Sequence, residues 1–544
     1  MEDQRRVFVA IALTLGIFFA WQALVKSTRP QSEVSEAAPA APVQGPATGT
    51  VPSGSAGSPN GAVAMGEVKS AGGAAATPVA VESFASFETP LLSGTLASTG
   101  GLSKLVLKHY QEARGEAGAL EPISLVTAAL GGAERQAIVR IEVGGVAVPL
   151  EFVERGPERF VLAGKAGDTK ATLVVTPHAQ EYALGYELRL ENASTASVKA
   201  SASVAMGLAA SATAGSSGFM APAADMVSGL CAADGAVRRS AAKALEDGPK
   251  VYPAANWAGL DRQYFVVAVV PQSDGGECKM STRNATVLID YGLGGVDLGA
   301  GKSWVQQFSL YLGPKRDSDL KVVAPVLADV IDYNIWKIPL GFLARPMVAI
   351  LNVFHTWTGS WGVAIMLLTF LVKTLLFPVT YKSVTSMRRM SLVKPEIEKL
   401  KERFGNDRER MQLEQVKLFR EKGINPLGGC LPMLLQMPVW FALYRMLWTS
   451  VDLYQQKFLW LDNLTAKEHF PFLSIAFGLL TVAQQKLTPT TMDSQQAKIM
   501  MYVMPVVFAF FMINLPSGLV LYIAVNSILT IIQQLVINRR QVTL

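Results

Sequence analysis

Six long apolar stretches alternate with polar ones along the chain, one near the N-terminus and five in the last third. At a rise of about 1.5 Å per residue, a helix formed by each stretch spans much of the roughly 30 Å hydrocarbon layer of a bilayer. The pattern therefore predicts a polytopic α-helical membrane protein with six transmembrane helices. The stretches are residues 7–25, 361–379, 427–448, 472–487, 499–515 and 518–537.

The first apolar stretch follows Arg5 and Arg6, and no small-residue cleavage signal closely follows it. We interpret residues 1–26 as an uncleaved N-terminal transmembrane anchor and not as a secretory signal peptide. Basic residues favour the cytoplasmic side, so we expect the N-terminus inside the cell. Residues 27–80 are rich in Ala, Pro, Gly and Ser, which bury too little surface to fold, and they predict a flexible linker.

Several runs between residues 81 and 320 alternate apolar with polar positions, which is the period of a β-strand. Two such runs within Ala137–Phe152 flank Gly144 and Gly145, a pattern that predicts a hairpin. We predict a large all-β sandwich on the outer side of the membrane. No cluster of carboxylates or aromatic residues marks a sugar- or peptide-binding groove in it, which favours a scaffold role. Further strands are predicted at Ala171–Thr176, Tyr182–Leu190, Tyr264–Val270 and Trp304–Leu312.

Apolar and charged residues interleave between residues 325 and 356, with too many charges for a transmembrane helix. This pattern predicts an amphipathic helix that lies in the outer membrane interface. Its apolar positions are Trp336, Pro339, Leu340, Leu343, Met347, Ile350, Leu351 and Phe354, and its charged positions are Asp329, Asp332, Lys337 and Arg345.

Residues 357–540 predict a core of five transmembrane helices that is interrupted by a polar region at 381–423. This region contains 12 Lys and Arg residues against seven acidic residues, which indicates a cytoplasmic location. Apolar positions recur every three or four residues on both sides of Gly405–Asp407, so we predict a cytoplasmic helical hairpin. Its charges form either a solvated face or a docking surface for an acidic partner. The apolar seam consists of Met390, Val393, Ile397, Leu400 and Phe404, and then Leu413, Val416 and Phe419.

Composition narrows the class of protein further. Of the 544 residues 50% are hydrophobic, which is typical of a membrane protein. The net charge of +6 is concentrated in specific segments, so we interpret it as an indicator of membrane topology and not of nucleic-acid binding.

The three cysteines and four histidines lack ligand spacing, which argues against a metal or thiol active site. Cys231 and Cys278 both fall in the predicted outer domain, and the sequence leaves open whether they pair. No GxxxxGK[ST] motif is present, so we expect no ATP site and no cofactor.

Lys373 lies inside the second apolar stretch, three residues past its midpoint. Burying a lysine in hydrocarbon costs about 2.5–3.5 kcal/mol on insertion scales, so this residue requires a wet or polar environment. Thr369 lies one helical turn before it on the same face. The alternative is that Lys373 only extends its side chain to the cytoplasmic interface, as we expect Arg445 to do at the outer interface.

A polar stripe follows one face of the last apolar stretch, and Gln436 lies within the third. Each of these residues alone is explained by an interhelical hydrogen bond, which is worth about 0.6 kcal/mol in membranes. Together with Lys373 they predict a shared hydrophilic cavity. The stripe consists of Tyr522, Asn526, Thr530 and Gln533, which recur at helical spacing.

Four short motifs resemble the YidC/Oxa/Alb family of membrane protein insertases. They are NPLGGCLP at 425–432, QMP at 436–438, LPSGLVLY at 515–522 and IQQ at 532–534. The resemblance covers residues 361–534. The additional first anchor and the large outer domain resemble the Gram-negative type of this family.

The resemblance implies a groove that is open to the cytoplasm and to lipid, closed on the outer side, and positively charged inside. Lys373 stands where the family usually has an arginine, so the charge is kept while bidentate pairing to a carboxylate is lost. Thr369 and Tyr522 match positions that line the groove and meet the substrate helix. The outer domain resembles the family's periplasmic β-supersandwich, and the cytoplasmic hairpin matches the region that receives substrate.

We therefore predict an insertase and chaperone of the bacterial inner membrane, and not an enzyme, with both termini in the cytoplasm. The partners expected from the resemblance are nascent membrane proteins, the Sec translocon, the ribosome through a weak contact, and membrane lipid, with no specific nucleic acid, cofactor or metal. The predicted groove residues are Lys373, Thr369, Gln436, Tyr522, Asn526, Thr530 and Gln533.

In this hypothesis, Lys373 and the polar groove attract the acidic or polar segment that must cross, since its burial in lipid is the main barrier. One alternative is a small-solute transporter or channel with an anion site at Lys373, which internal repeats would favour; the sequence shows none. Another is an envelope enzyme acting on glycans, which would need a pair of carboxylates in the outer domain.

Overall fold

The structure of the chain is a computed structural model. The predicted anchor at 1–26 and the predicted linker at 27–80 lie outside the residues that it describes. The described residues are 83–114, 119–126, 129–130, 133–134, 136–209, 227–334, 338–404, 407–423, 431–488 and 494–539.

Antiparallel strands form the first part of the described chain, which we call the β domain (residues 84–314). A four-stranded sheet comprises β1 (Phe84–Glu88), β2 (Leu92–Ala97), β3 (Leu102–Arg114) and β4 (Ala119–Ser124), and a ribbon comprises β5 (Ala129–Leu130) and β6 (Ala133–Glu134). A fourteen-stranded sheet comprises β7 (Ile138–Val143), β8 (Val146–Ala147), β9 (Glu151–Arg155), β10 (Phe160–Ala166), β11 (Thr169–Pro177), β12 (Ala183–Asn192), β13 (Val198–Ala209), β14 (Ser228–Ala233), β15 (Ala236–Ala241), β16 (Lys250–Asp261), β17 (Phe265–Pro271), β18 (Gly276–Arg283), β19 (Thr286–Leu298) and β20 (Ser303–Pro314).

The large sheet has the strand order β8-β7-β13-β19-β18-β16-β17-β20-β12-β11-β10-β9, and the hairpin of β14 and β15 attaches to β16. The small sheet packs on it, since the rings of Phe87 and Phe160 meet with their centroids 6.4 Å apart. Alternation places Ala171, Leu173 and Val175 of β11 in the core and Lys170 and Thr176 outside. The all-β domain and the four further predicted strands, which lie in β11, β12, β17 and β20, are confirmed.

The predicted hairpin at Gly144 and Gly145 is confirmed at its turn and wrong in its second strand. Both glycines have positive φ (59° and 79°), as a two-residue turn requires, and Val143 pairs with Val146. The second run was predicted to continue to Phe152, but β8 ends at Ala147. Pro149 follows and cannot donate to a sheet, and Phe152 then pairs with Leu162 of β10.

Cys231 on β14 and Cys278 on β18 form a disulfide. Both strands pair with β16, which places the two cysteines on either side of it. The bond closes a loop between residues 47 positions apart, which stabilises the fold by about 2–4 kcal/mol in the chain-entropy account. The structure thus resolves what the sequence left open.

The predicted amphipathic helix at 325–356 is wrong in its first half. A short helix α1 (Asp317–Val323) and a 3₁₀ turn (Pro325–Val330) come first, residues 335–337 lie outside the described residues, and α2 (Gly341–Thr358) begins only then. Pro339 disfavours helical backbone in the residue before it, which explains the late start. Within α2 the apolar residues Ala344, Met347 and Leu351 are buried and the charged Arg345 is exposed, as the amphipathic pattern predicts. The apolar residues Phe342 and Trp357 are exposed as well.

The second predicted apolar stretch belongs to one long helix, α3 (Trp361–Leu392). This helix continues through Pro378 and past the predicted start of the cytoplasmic hairpin at residue 381. The hairpin itself consists of α4 (Lys394–Phe404) and α5 (Arg408–Glu421), so the predicted hairpin boundary at 381 is wrong. Pro395 suits the first turn of a new helix, where its missing N–H is not needed.

The hairpin closes through a small apolar contact and an ion pair. Val393 and Phe419 are buried against each other, and the Lys422 ammonium lies 2.9 Å from a Glu396 carboxylate oxygen. The Asp407 side chain accepts a hydrogen bond from the Arg410 amide at 3.0 Å and so caps the start of α5. The predicted seam is only partly formed, because two of its members on α5 point to solvent. These are Leu413 and Val416, which are 66% and 62% exposed.

Four more helices complete the described chain. They are α6 (Leu431–Thr449), α7 (Phe472–Leu487), α8 (Ser494–Met512) and α9 (Ser517–Arg539). By length and composition α3 and α9 suffice to cross a membrane, and α7 and residues 499–512 of α8 are apolar but shorter. Residues 427–430 of the third predicted stretch lie outside the described residues.

Large apolar side chains cover the outer surfaces of these helices. Phe370 and Leu375 on α3, Leu479 on α7, and Val506 and Phe510 on α8 are each between 58% and 71% exposed. So much exposed apolar surface is unstable in water and typical of a lipid-facing bundle. The α-helical second half and the β domain agree with the predicted fold class.

Candidate functional site

Lys373 contacts the last helix through two hydrogen bonds. It is 8% exposed, and its ammonium donates to the Thr530 hydroxyl at 2.9 Å. Its backbone carbonyl accepts from the Gln533 side-chain amide at 3.3 Å. The Thr530 hydroxyl in turn donates to the Asn526 carbonyl at 2.7 Å. Three of the predicted groove residues, Lys373, Thr530 and Gln533, thus join α3 to α9, and Asn526 lies one turn before Thr530.

Within the described residues no carboxylate pairs with the Lys373 ammonium. A buried cation that is held only by neutral oxygens has its hydrogen bonds partly satisfied, while its charge is not compensated. An incoming anionic or strongly polar group would therefore interact favourably with it.

Two acceptor atoms on the polar face of α9 are also unsatisfied. The side-chain oxygens of Asn526 and Gln533 are buried and receive no hydrogen bond from any described residue. Leaving such an atom unpaired costs about 1–3 kcal/mol. The network around Lys373 can therefore offer both a positive charge and free acceptors to a polar chain.

A second, smaller contact joins α6 to α9. The Gln436 amide donates to the Tyr522 hydroxyl at 3.1 Å, and Tyr522 is 2% exposed. Thr369 is buried on α3, one turn before Lys373, and its hydroxyl donates to the Ile365 carbonyl of its own helix at 2.7 Å. The structure therefore links five of the seven predicted groove residues across helices in two sets, and Thr369 and Asn526 contribute only through their positions. We call these seven residues the polar site.

The loop between α6 and α7 packs against the N-terminal ends of α3 and α9. A Cβ at Gly362 of α3 would lie 2.1 Å from the Phe458 ring, so only glycine permits this contact. At the start of α9, the Ser517 and Gly518 amides donate at 2.8 Å to carbonyls of Ala466 and Leu464. The polar site is thus covered at this end of the helices.

The β domain and the segment that follows it (residues 315–334) contact the same end of α6. Arg445 was expected to extend towards the outer interface, and its guanidinium donates to the Asp332 carbonyl at 2.5 Å. Its side chain is only 16% exposed. The structure thus gives Arg445 a partner in the segment after the β domain, and its extension towards the interface stays a prediction. The two residues are 113 positions apart, and no sequence pattern connects them.

Further contacts connect the β domain to the segment after α6. Arg316 pairs with Asp452 at 2.6 Å and donates to the Tyr110 hydroxyl at 3.3 Å. Burial raises the pKa of Tyr110, so its hydroxyl stays neutral beside the guanidinium. The Tyr454 ring packs against Tyr264 and Phe265, with centroids 5.0 and 5.9 Å away. Sequence reasoning missed this interface, because each partner alone resembles an ordinary surface residue.

Two family models match the chain. The model described as 60Kd inner membrane protein matches residues 353–543, and the model described as YidC periplasmic domain matches residues 154–350. The boundary between the two matches falls within α2.

Curated relatives extend this similarity over most of the chain. "Membrane protein insertase YidC" from Anaeromyxobacter sp. (strain Fw109-5) is 36% identical over 461 residues, which are 82% of this chain and 83% of the relative. The protein of the same name from Geobacter sulfurreducens is 38% identical over 55% of this chain and 56% of the relative. A solved structure titled "Active YidC insertase crystal structure with the first transmembrane domain resolved" matches 83% of this chain and 94% of its own, with a TM-score of 0.36 and 18% identity.

Proposed function

The chain belongs to the YidC family of membrane protein insertases, and from this premise we propose that its polar site receives the segment of a nascent membrane protein that must cross the bilayer. The family consists of inner-membrane proteins with a periplasmic domain, and its members are insertases and not enzymes. The observation that carries the proposal is the environment of Lys373, which is buried and which the described residues hold only through neutral groups of α9.

The site lowers the barrier that opposes insertion. A charged side chain costs about 2.5–3.5 kcal/mol at the centre of a bilayer on insertion scales. A carboxylate or a polar backbone that reaches Lys373 finds an uncompensated cation, and its donors find the acceptors of Asn526 and Gln533. Lysine presents a compact charge on a flexible stem and not the flat fork of arginine, so the attraction should depend little on the orientation of the substrate group.

Release into lipid follows from apolar burial. The polar site lies next to helices whose outer faces carry exposed apolar residues, such as Phe370 and Leu375 on α3. A substrate helix that moves sideways onto this surface removes its own apolar side chains from water, each worth about 1.5–3 kcal/mol. The polar segment leaves on the far side, and no ATP is needed.

The proposed topology has six transmembrane helices, both termini in the cytoplasm, and α2 at the outer interface. The hairpin of α4 and α5 is cytoplasmic because 12 basic residues against seven acidic ones occur between residues 381 and 423.

The proposed partners, besides nascent chains, are the Sec translocon, membrane lipid and, weakly, the ribosome. The transporter alternative gains no support, since the relatives named above are insertases.

Photo-crosslinking tests the proposal. A crosslinking residue replaces Tyr522, and ribosome-bound nascent chains of a small single-span membrane protein are presented to the protein in proteoliposomes. We expect a crosslink that weakens in the Lys373→Ala background and is unchanged by Lys382→Ala, a matched variant of an exposed lysine farther along α3. A crosslink that is indifferent to Lys373 would remove the charge from the mechanism, and no crosslink from Tyr522, Asn526 or Thr530 would refute the substrate site.

A further inference from the structure

Arg388 caps the end of α9 from the neighbouring helix. It lies four residues before the end of α3, and its guanidinium donates to the carbonyls of Ile537 and Asn538 at 3.2 and 3.0 Å. These carbonyls belong to the last turn of α9, which ends at Arg539 and where carbonyls lack partners within the helix. A cation at a helix C-terminus is further stabilised by the helix dipole.

The last turn of α9 in turn contacts the end of α7. The Gln534 amide donates to the Thr488 hydroxyl at 3.0 Å, and the Asn538 amide donates to the Leu487 carbonyl at 3.5 Å. Thr488 directly follows the last residue of α7. Arg388 therefore holds the end of α9, and α9 holds the end of α7, so that the C-terminal ends of three helices are joined in one chain of contacts.

This chain of contacts lies next to the polar site. Thr530 and Gln533, which contact Lys373, precede Ile537 by about two turns and about one turn of α9. The pair of helices α3 and α9 is thus held by side chains at two levels, one at Lys373 and one at Arg388. A helix that is held at one level can rotate or slide, whereas contacts at two levels fix its register.

We propose that Arg388 is a positioning residue that keeps the acceptors of α9 opposite Lys373 while substrate is bound. This proposal rests on the proposed function of the polar site and adds a residue that does not itself touch the substrate. The neighbouring Arg389 is exposed and carries the same charge, so it provides a matched control for the general effect of a positive charge at this interface.

The test measures crosslinking from position 522 to the nascent chain, together with thermal unfolding in detergent. We expect Arg388→Ala to reduce the crosslink about fivefold, the effect of losing a helix-terminus contact of this kind, with little change in the unfolding temperature. Arg388→Lys should retain part of the crosslink, since an ammonium can hold one of the two carbonyls, and Arg389→Ala should leave it unchanged.

A chemical rescue separates positioning from charge. In a Cys430→Ser background, Arg388→Cys and Asn538→Cys are combined and joined by a bifunctional thiosulfonate linker about as long as an arginine side chain. Crosslinking that is restored with the linker, and not by the two substitutions alone, would support positioning, because the linker carries no charge. No restoration, or an equal loss in the Arg388→Ala and Arg389→Ala variants, would overturn the role of Arg388 alone, and an absent crosslink in the parent protein would overturn the proposed function with it.

Discussion

The structure buries two lysines to nearly the same extent and surrounds them differently. Lys315, which follows the last strand of the β domain, is 7% exposed, and Lys373 in α3 is 8% exposed. The Lys315 ammonium lies 2.8 Å from a carboxylate oxygen of Asp261, which also pairs with Arg239. Lys373 has only a threonine hydroxyl at 2.9 Å, and no described residue supplies it with a carboxylate.

A buried charge can serve structure or function, depending on whether a counter-charge lies beside it. A cation that is paired with a carboxylate contributes to a fixed interface, because removal of either partner leaves an uncompensated charge. A cation without a counter-charge adds nothing to stability, and it still attracts an anionic group of a substrate. By this reasoning Lys315 is structural and Lys373 functional, and four changes test the comparison, the largest expected effect first.

Asp261→Ala should produce the largest loss of stability. It leaves the buried Lys315 and the half-buried Arg239 without their carboxylate, at a cost of about 3–5 kcal/mol, which corresponds to a fall in unfolding temperature on the order of 10 °C. Thermal unfolding of the full chain in detergent measures it. The control is Asp290→Ala, which breaks an exposed pair with Arg140 and should cost about 0–1 kcal/mol. A similar small loss in both variants would mean that Lys315 does not depend on its counter-charge.

Thr530→Asp should give Lys373 a carboxylate partner, as Asp261 is for Lys315. The new carboxylate would replace the hydroxyl that contacts the ammonium and would neutralise the site from within. Insertion of a single-span substrate into proteoliposomes should fall about 10–100-fold, the equivalent of a lost charged hydrogen bond. The unfolding temperature should stay the same or rise. Thr530→Asn, which adds no charge, should affect insertion far less, and equal effects of the two variants would contradict the comparison.

Lys373→Met should reduce insertion without reducing the stability of the protein. The substitution removes a cation that has no counter-charge, so the unfolding temperature should not fall, whereas insertion of a substrate with an acidic translocated segment should drop about tenfold or more. Lys373→Arg should retain insertion because the charge remains. The charge hypothesis fails if a substrate with a neutral translocated segment loses as much insertion as the acidic one.

Tyr522→Phe should have the smallest effect of the four. It removes one neutral hydrogen bond, from Gln436, in the same polar site, and such a bond is worth about 0.6 kcal/mol in membranes. Insertion should change less than threefold, and unfolding in detergent should shift only slightly. A loss as large as that of Lys373→Met would show that the hydroxyl, and not the charge, dominates substrate contact.

Periodicity alone determined much of what the structure shows. The apolar stretches predicted α3, α7, α8 and α9, and alternation predicted four strands of the β domain, because side chains on one face of a helix or strand recur at a fixed spacing. The same rule placed Asn526, Thr530 and Gln533 on one face of α9. Errors occurred at element ends, at the starts of α2 and α4, where a proline decided between continuation and restart.

The tertiary structure alone decided which polar residues meet. Lys373 and Thr530 are 157 positions apart, Arg445 and Asp332 are 113 apart, and Cys231 and Cys278 are 47 apart. No local pattern encodes such pairs, since the distance between two side chains depends on how their elements pack. The sequence therefore determined that Lys373 needed a polar environment. Only the packing of α3 against α9 determined which groups form it. Among the described residues these are hydroxyl and amide groups, and no carboxylate.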